Sequence, residues 1–308
     1  FKLLNSLSSA SQVKKPEAID NFNTLYRIEL TDYGWSTKQW EDVIRSYPFM
    51  VIPAVAKSLG VLQEDTNTNV PLIKADWFVA NASKAPLYYS MLGISADFKT
   101  FESKMGISLV NNVKSGNVIR AGFNDSLPSE QNRVIERHSV GSSSFLWRSY
   151  EFETSDGNQN IFDKPMGPQG TGHPNSFRDD GGEFIFSLNN GFFAFAIYGK
   201  DGNRLNIAPS KEGEEDIIAG QSCMSCHNNG LINKQDMVIK EAGSRGILDS
   251  QIEAIYVSHS KFKSQIDKDS DSYKDALNQA NVNTKRKDPV FRVAKKYLLD
   301  VSTGQAAA

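Results

Sequence analysis

The 308-residue chain is 39% hydrophobic and 23% charged, with a formal net charge of −2. That is the make-up of a globular protein long enough to bury a core as one large unit or two smaller ones. The charge balance gives no electrostatic basis for binding nucleic acid or an anionic membrane surface. No run approaches the roughly 18 apolar residues that a membrane-spanning helix needs.

Residues 1–115 read mainly as helices and loops. Trp40, Val43 and Ile44 recur at helical spacing between Thr37 and Tyr47, and Pro48 ends the run. Ala75 to Leu92 carries Trp77, Phe78, Leu87, Tyr88 and Met91 in a helical pattern, with a break or kink expected at Pro86. Ser95 is the expected cap of a third helix, with Phe98, Phe101 and Met105 on one face and Gly106 as its stop.

From residue 116 to about 230 the texture turns to strands. Phe145 and Trp147, then Tyr150 and Phe152 after a slip in register, predict a strand over Ser144 to Phe152. The loop from Asn158 to Asp180 is long and rich in Gly and Pro, as functional or mobile loops tend to be. Glu183 to Leu188 alternates, Asn189-Asn190-Gly191 turns, and Phe192 to Tyr198 returns as a largely apolar strand, which predicts a hairpin. A further turn at Lys200-Asp201-Gly202-Asn203 leads into Arg204 to Ile207. Phe192, Phe193 and Phe195 imply that this strand is covered on both faces, with core packing favoured over contact with a cofactor. Glu212, Glu214, Glu215 and Asp216 read as a solvated acidic loop.

Residues 231–308 return to helix. Ile252, Ile255 and Tyr256 mark one helix, and Phe262, Ile266, Tyr273, Ala276 and Leu277 a second that breaks near Asp269. Asp288-Pro289 opens a third with Val290, Val293, Ala294 and Leu298 on its face, and Ser302 to Ala308 reads as a frayed tail. The expected fold class is therefore α+β. Helical N-terminal (1–115) and C-terminal (231–308) parts surround a small antiparallel sheet in 116–230, as one compact unit.

The chain's only two cysteines lie in Cys223-Met224-Ser225-Cys226-His227. C-x-x-C-H is the attachment pattern of a c-type haem. Two thiols three residues apart on a helical turn can each add to one vinyl group of a single haem, and the following histidine is a normal proximal ligand of its iron. A thioredoxin-type dithiol would want a βαβ frame that is not visible here. Zinc would need four ligands, two of them drawn from His138, His173 or His259. A disulfide across so short a loop would be strained. One covalent haem c is the expectation, with Cys223, Cys226 and His227 as its anchors.

These residues sit in a chain that resembles a group of bacterial c-type cytochrome-like proteins found in planctomycetes and myxobacteria. The resemblance is carried by Lys2-Leu3-Leu4-Asn5-Ser6-Leu7-Ser8, Ala75-Asp76-Trp77-Phe78-Val79 and Asn132-Arg133-Val134-Ile135-Glu136-Arg137-His138. It continues in Asp180-Gly181-Gly182-Glu183-Phe184-Ile185-Phe186-Ser187-Leu188 and Gly220-Gln221-Ser222-Cys223-Met224-Ser225-Cys226-His227. It implies haem attachment and an extracytoplasmic compartment, and names no substrate. Similar chains extend further N-terminally, which implies that Phe1 is not a natural start. They often carry His where this chain has Asp179, so a ligand role at that position is not expected.

Function then turns on what faces His227 across the iron. The imidazole candidates are His138, placed first, then His173 in a Gly172-His173-Pro174 turn and His259 on a polar stretch. The thioether candidates are Met50, Met91, Met105, Met166 and Met237. A motif this late in the chain argues against the small all-α cytochrome c fold. Arg133, Arg137, Arg204 and Arg148 are the candidate partners for the haem propionates, because guanidinium matches carboxylate geometry. The expected function is a mono-haem cytochrome passing electrons in the periplasm or outside the cell, to a redox partner protein or another haem protein. The alternative is a haem enzyme or a protein that binds gas or peroxide at an open iron position.

Overall fold

The computed structural model describes residues 1–48, 57–67, 70–124, 132–152, 160–209 and 215–297. Met50, Glu212, Glu214, Leu298 and the tail Ser302 to Ala308 lie outside them.

The N-terminal part runs through α1 (Lys2–Ser6), a short ribbon of β1 (Glu17–Ala18) with β2 (Tyr26–Arg27), α2 (Thr37–Ser46) and α3 (Lys57–Thr66). Gln39 accepts a hydrogen bond from the Ser36 backbone N–H at 2.9 Å and so fixes the start of α2. The expected 75–92 helix is two, α4 (Ala75–Ala82) and α5 (Leu87–Leu92), parted at Pro86 as the ring requires. Next, α6 (Phe98–Met105) is capped by Asp97, whose carboxylate accepts from the Thr100 N–H at 2.8 Å, and not by Ser95. Gly106 ends it in the left-handed conformation. A short α7 (Leu109–Lys114) follows.

The sheet is larger than a hairpin. Five antiparallel strands pair in chain order: β3 (Val118–Phe123), β4 (Arg133–Val140), β5 (Ser144–Glu151), β6 (Gly181–Ser187) and β7 (Phe193–Gly199). No slip in register is needed in β5, which pairs with β4 without interruption from Val140↔Ser144 to Arg133↔Glu151. Phe145 and Trp147 face one side, Leu146 and Tyr150 the other, and all four are buried because both sides of the sheet are covered.

Two short strands, β8 (Ile207–Ala208) and β9 (Ile217–Ile218), lead into α8 (Gln221–Cys226), then α9 (Val238–Ser244) and α10 (Ser250–Ile255). The helix expected to break near Asp269 is one continuous α11 (His259–Gln279). Asp269 does not break it, because its buried carboxylate accepts from Arg137 Nε and Trp147 Nε1, both at 2.7 Å. The last helix is α12 (Pro289–Tyr297), capped by Asp288 through the Phe291 N–H at 2.9 Å. The main core runs from Leu3 through Phe195 to Val290, so all three stretches contribute to it. Among the described residues, no helix is long and apolar enough to cross a membrane.

Candidate functional site

The residues of α8 stand on a narrow base. Gly220 precedes the helix at φ +84°, where a Cβ would meet the Ser83 carbonyl oxygen at 2.6 Å, so the position requires glycine. The helix then closes its turns through Met224 N–H to Gly220 O and His227 N–H to Cys223 O, each 2.9 Å. Met224 is fully buried on the core side. Cys223, Cys226 and His227, at positions i, i+3 and i+4, share one face.

That face borders a cavity of about 530 Å³, within the roughly 300–1,000 Å³ of small-molecule and cofactor sites. The alternating residues Arg133, Ile135, Trp147, Ser149, Glu183, Ile185 and Phe195 of β4 to β7 form its floor. Phe123, Ile217, Leu231, Ile232, Ile266 and Phe291 complete the apolar walls, and exposed Glu215 and Asp216 stand at its border. A second cleft, of about 540 Å³, lies between Ser11–Val13, the Asn189–Gly191 turn and α11. Its lining is polar and has neither cysteine nor histidine.

His227 is held in one tautomer. Its Nδ1 lies 3.1 Å from the Gly230 carbonyl oxygen, which can only accept, so the proton of the neutral ring is on Nδ1 and Nε2 keeps its lone pair. Gly230 is fixed in turn: at φ +115° a Cβ would meet Ser270 Cβ at 2.7 Å. The Phe195 ring lies nearly parallel to the imidazole with centroids 6.0 Å apart. Burial lowers the imidazole's proton affinity and so favours the neutral form that binds a metal. The next residue, Asn228, accepts from Lys2 Nζ of α1 at 3.4 Å and donates to the Arg286 carbonyl before α12 at 3.0 Å. Both ends of the described chain thus reach the segment behind the imidazole.

The two thiols are free, Cys223 half-buried and Cys226 exposed. Burial, with the Glu183 charge, pushes the Cys223 thiol up to about 12 and raises Cys226 in the same direction. Reactive dithiols need the opposite shift. Among the described residues, no three His, Cys, Asp or Glu side chains converge on a point where a metal ion could be held.

The other sequence candidates scatter. Arg133 lines the cavity. Arg137 shares that strand face but binds Asp269. Arg204 is elsewhere, donating to the Ile94 carbonyl with its guanidinium 4.2 Å from the Tyr89 ring centre. Arg148 borders the cavity, yet its guanidinium pairs with Asp179 at 2.6 Å and lies 4.0 Å from the Tyr150 ring centre.

His138, the first choice for the distal position, corrects the expectation most sharply. It is neither a surface residue nor a distal one: it sits in β4 on the face opposite the cavity, fully buried. Asn112 Nδ2 donates to its Nδ1 at 3.2 Å, and its Nε2–H donates to Glu136 Oε1 at 2.6 Å, so no nitrogen is free for iron. His173 Nε2 pairs with Asp249 at 2.7 Å, and His259 is an exposed first residue of α11. Met91 and Met166 are core residues, Met105 packs against the core and Met237 is exposed. Among the described residues, His227 is the only histidine at the cavity, and no methionine lines it.

Sequence reasoning missed Ser149, Glu183 and Trp147 as cavity residues. The period-2 alternation of β5 and β6, extended inward from their partners, was the signal that could have found them. Comparison of the chain with protein-family models, with curated proteins and with solved structures found no match.

Proposed function

We propose that this chain is a single-haem c-type protein of the extracytoplasmic space, with the haem fastened through Cys223 and Cys226 and its iron held by His227. One observation carries the reading. Two thiols and an imidazole with an available Nε2 share the face of α8 that borders a largely apolar cavity of cofactor size. Each thiol would add its S–H across one vinyl group to leave a thioether. His227 is oriented by the Gly230 carbonyl and backed by Phe195. The walls are largely apolar, and Arg133 and Ser149 provide donors at the sheet side. When bound, haem supplies a one-electron couple and, if a coordination position stays open, a site for a small ligand. The extracytoplasmic assignment follows from where such attachment takes place.

The opposite side of the iron decides between the two roles expected from sequence. No second imidazole or thioether lines the cavity among the described residues, and this favours an open position that binds an exogenous ligand such as a gas or peroxide. Outer-sphere electron transfer, with a redox protein or another haem protein as partner, is the second reading. It is supported by the exposure of Cys226, which brings the attachment edge to the surface.

A ferrous absorption spectrum with and without carbon monoxide tests the choice. The expected result is a high-spin ferric protein whose ferrous form binds carbon monoxide rapidly. A low-spin spectrum indifferent to carbon monoxide would return electron transfer to first place. Intact-mass measurement showing no haem-sized adduct on the mature chain would remove both.

A further inference from the structure

Two carboxylates share one guanidinium in the wall of the cavity. Arg133 Nη1 donates to Glu183 Oε2 at 2.5 Å, while Nη2 donates to Glu151. Arg133 is only 5% exposed, and Arg133, Glu183 and Ser149 all line the cavity. Among the described atoms, Arg133 Nε and Ser149 Oγ are buried without a hydrogen-bond partner. One positive and two negative groups leave a surplus negative charge. Arg133 is buried while both carboxylates are partly exposed, Glu151 the more so, and solvent protons can reach them.

The charged surroundings do not cancel that surplus. Asp180, beside β6, adds to it and is itself paired with exposed Lys200 at 3.6 Å. Asp179 is matched by Arg148. Across the cavity stand Cys223, Cys226 and His227 of α8, with Glu215, Asp216 and Lys234 also bordering it. Burial, with the Glu183 and Asp180 charges, raises the Glu151 carboxyl above its usual range against the pull of Arg133. Glu151, behind the cavity lining and held by the guanidinium that forms part of it, is thereby disposed to accept a proton.

Resting on the haem reading above, we propose that the Glu151–Arg133–Glu183 cluster takes up a proton when the iron in the cavity is reduced. A bound haem would supply the one-electron couple, the electron coming from an external one-electron donor. One proton passes from solvent to a carboxylate oxygen of the cluster, whose net charge of −1, Arg133 included, becomes 0. The added electron and proton together leave the total charge of the cavity and its wall unchanged. Reduction becomes proton-coupled, and the potential of the site falls as pH rises.

The experiment uses the haem-loaded protein, its covalent haem first established by an alkaline pyridine spectrum. The midpoint potential is followed by spectroelectrochemistry from the ordinary glutamate range, roughly pH 4, upward through neutral pH. One proton per electron shifts the redox equilibrium tenfold per pH unit, about 59 mV for a one-electron couple. The wild type is expected to approach that slope within the window. Glu151→Gln or Glu183→Gln should reduce it, and the double variant should abolish it, with the melting temperature showing that these isosteric changes leave the fold intact. Infrared redox-difference spectra should show a protonated carboxyl band that the double variant lacks. A haem-loaded protein whose potential is flat with pH overturns the proposal, as does a slope that survives in the double variant. A pyridine spectrum without covalent haem overturns the haem reading together with it.

Discussion

The five-stranded sheet carries ionisable side chains on both faces, and the two faces treat them differently. Behind the sheet, Glu136 receives Arg120 Nε at 2.8 Å, the Tyr150 hydroxyl at 2.8 Å and His138 at 2.6 Å. Arg120 goes on to the carbonyls of Pro165 and Gly167 at 3.0 and 2.6 Å, and Tyr256 joins at Pro165. Arg120, Glu136 and His138 are fully buried. On the front face, Arg133 keeps an unpartnered Nε beside an unpartnered Ser149 Oγ, and the volume next to them is not filled by side chains. A buried polar cluster with every partner inside the chain is a fastening; one with donors left over beside a cavity is a receptor for something else.

The largest effect should come from breaking the rear network. Glu136→Ala leaves the Arg120 guanidinium buried without its counter-charge, and removing one partner of such a pair costs about 3–5 kcal/mol. A urea or thermal unfolding series should show that loss. A change under 1 kcal/mol would mean that the rear face is as loosely built as the front.

That network also shows why half of the sheet was not legible in the sequence. Arg120, Arg133, Glu136, Arg137 and His138 put polar side chains on two strands, three of them in consecutive positions, so no period-2 apolar pattern marks either strand. Their burial depends on partners supplied far along the chain, such as Pro165 for Arg120, 45 residues away. Asp269 misled for the same reason, its ligands Arg137 and Trp147 lying 132 and 122 residues distant. By contrast, the β6–β7 hairpin and the start of α12 were readable, because turn residues and an Asp-Pro start act within a few positions. The helix α2 was readable from its apolar spacing, whereas the cap expected at Ser95 falls to Asp97. The Cys223–His227 pattern stood out in the sequence by its residue types alone. The cavity beside it was not visible there, since its floor comes from four strands, of which β5 and β6 alternate, β7 is largely apolar and β4 has neither pattern.

A smaller effect is expected at the base of α8. Gly220→Ala forces a Cβ against the Ser83 carbonyl at positive φ, a strain of about 1–3 kcal/mol. Stability should fall by that amount while the rear network stays intact. Haem incorporation should fall by a larger factor than stability does, because the strain displaces the motif itself. Equal losses in both would show that the helix base only supports the fold.

The smallest effect is one of sign. Burial alone would raise the Glu136 carboxyl, but the charges and hydrogen bonds of Arg120 and His138 outweigh it and hold the group well below the usual carboxylate range. Its contribution to stability is therefore complete above the unfolded-state value and is lost as pH falls toward the folded one. Glu151, raised chiefly by burial, does the reverse: the folded state binds its proton more tightly, so acidification through that window adds stability. Glu136→Gln should flatten the acid limb of a stability–pH curve, and Glu151→Gln should steepen it slightly. Parallel shifts in the two variants would erase the distinction between the faces.

The anchorage of Asn228 has a consequence for anyone dissecting this chain. The Cys223–His227 pattern falls late in the sequence, yet the residue beside its imidazole is gripped by a lysine from the opening helix and a carbonyl just ahead of the closing one. A fragment cut to keep only the strands and the pentapeptide would lose the two hands that steady it.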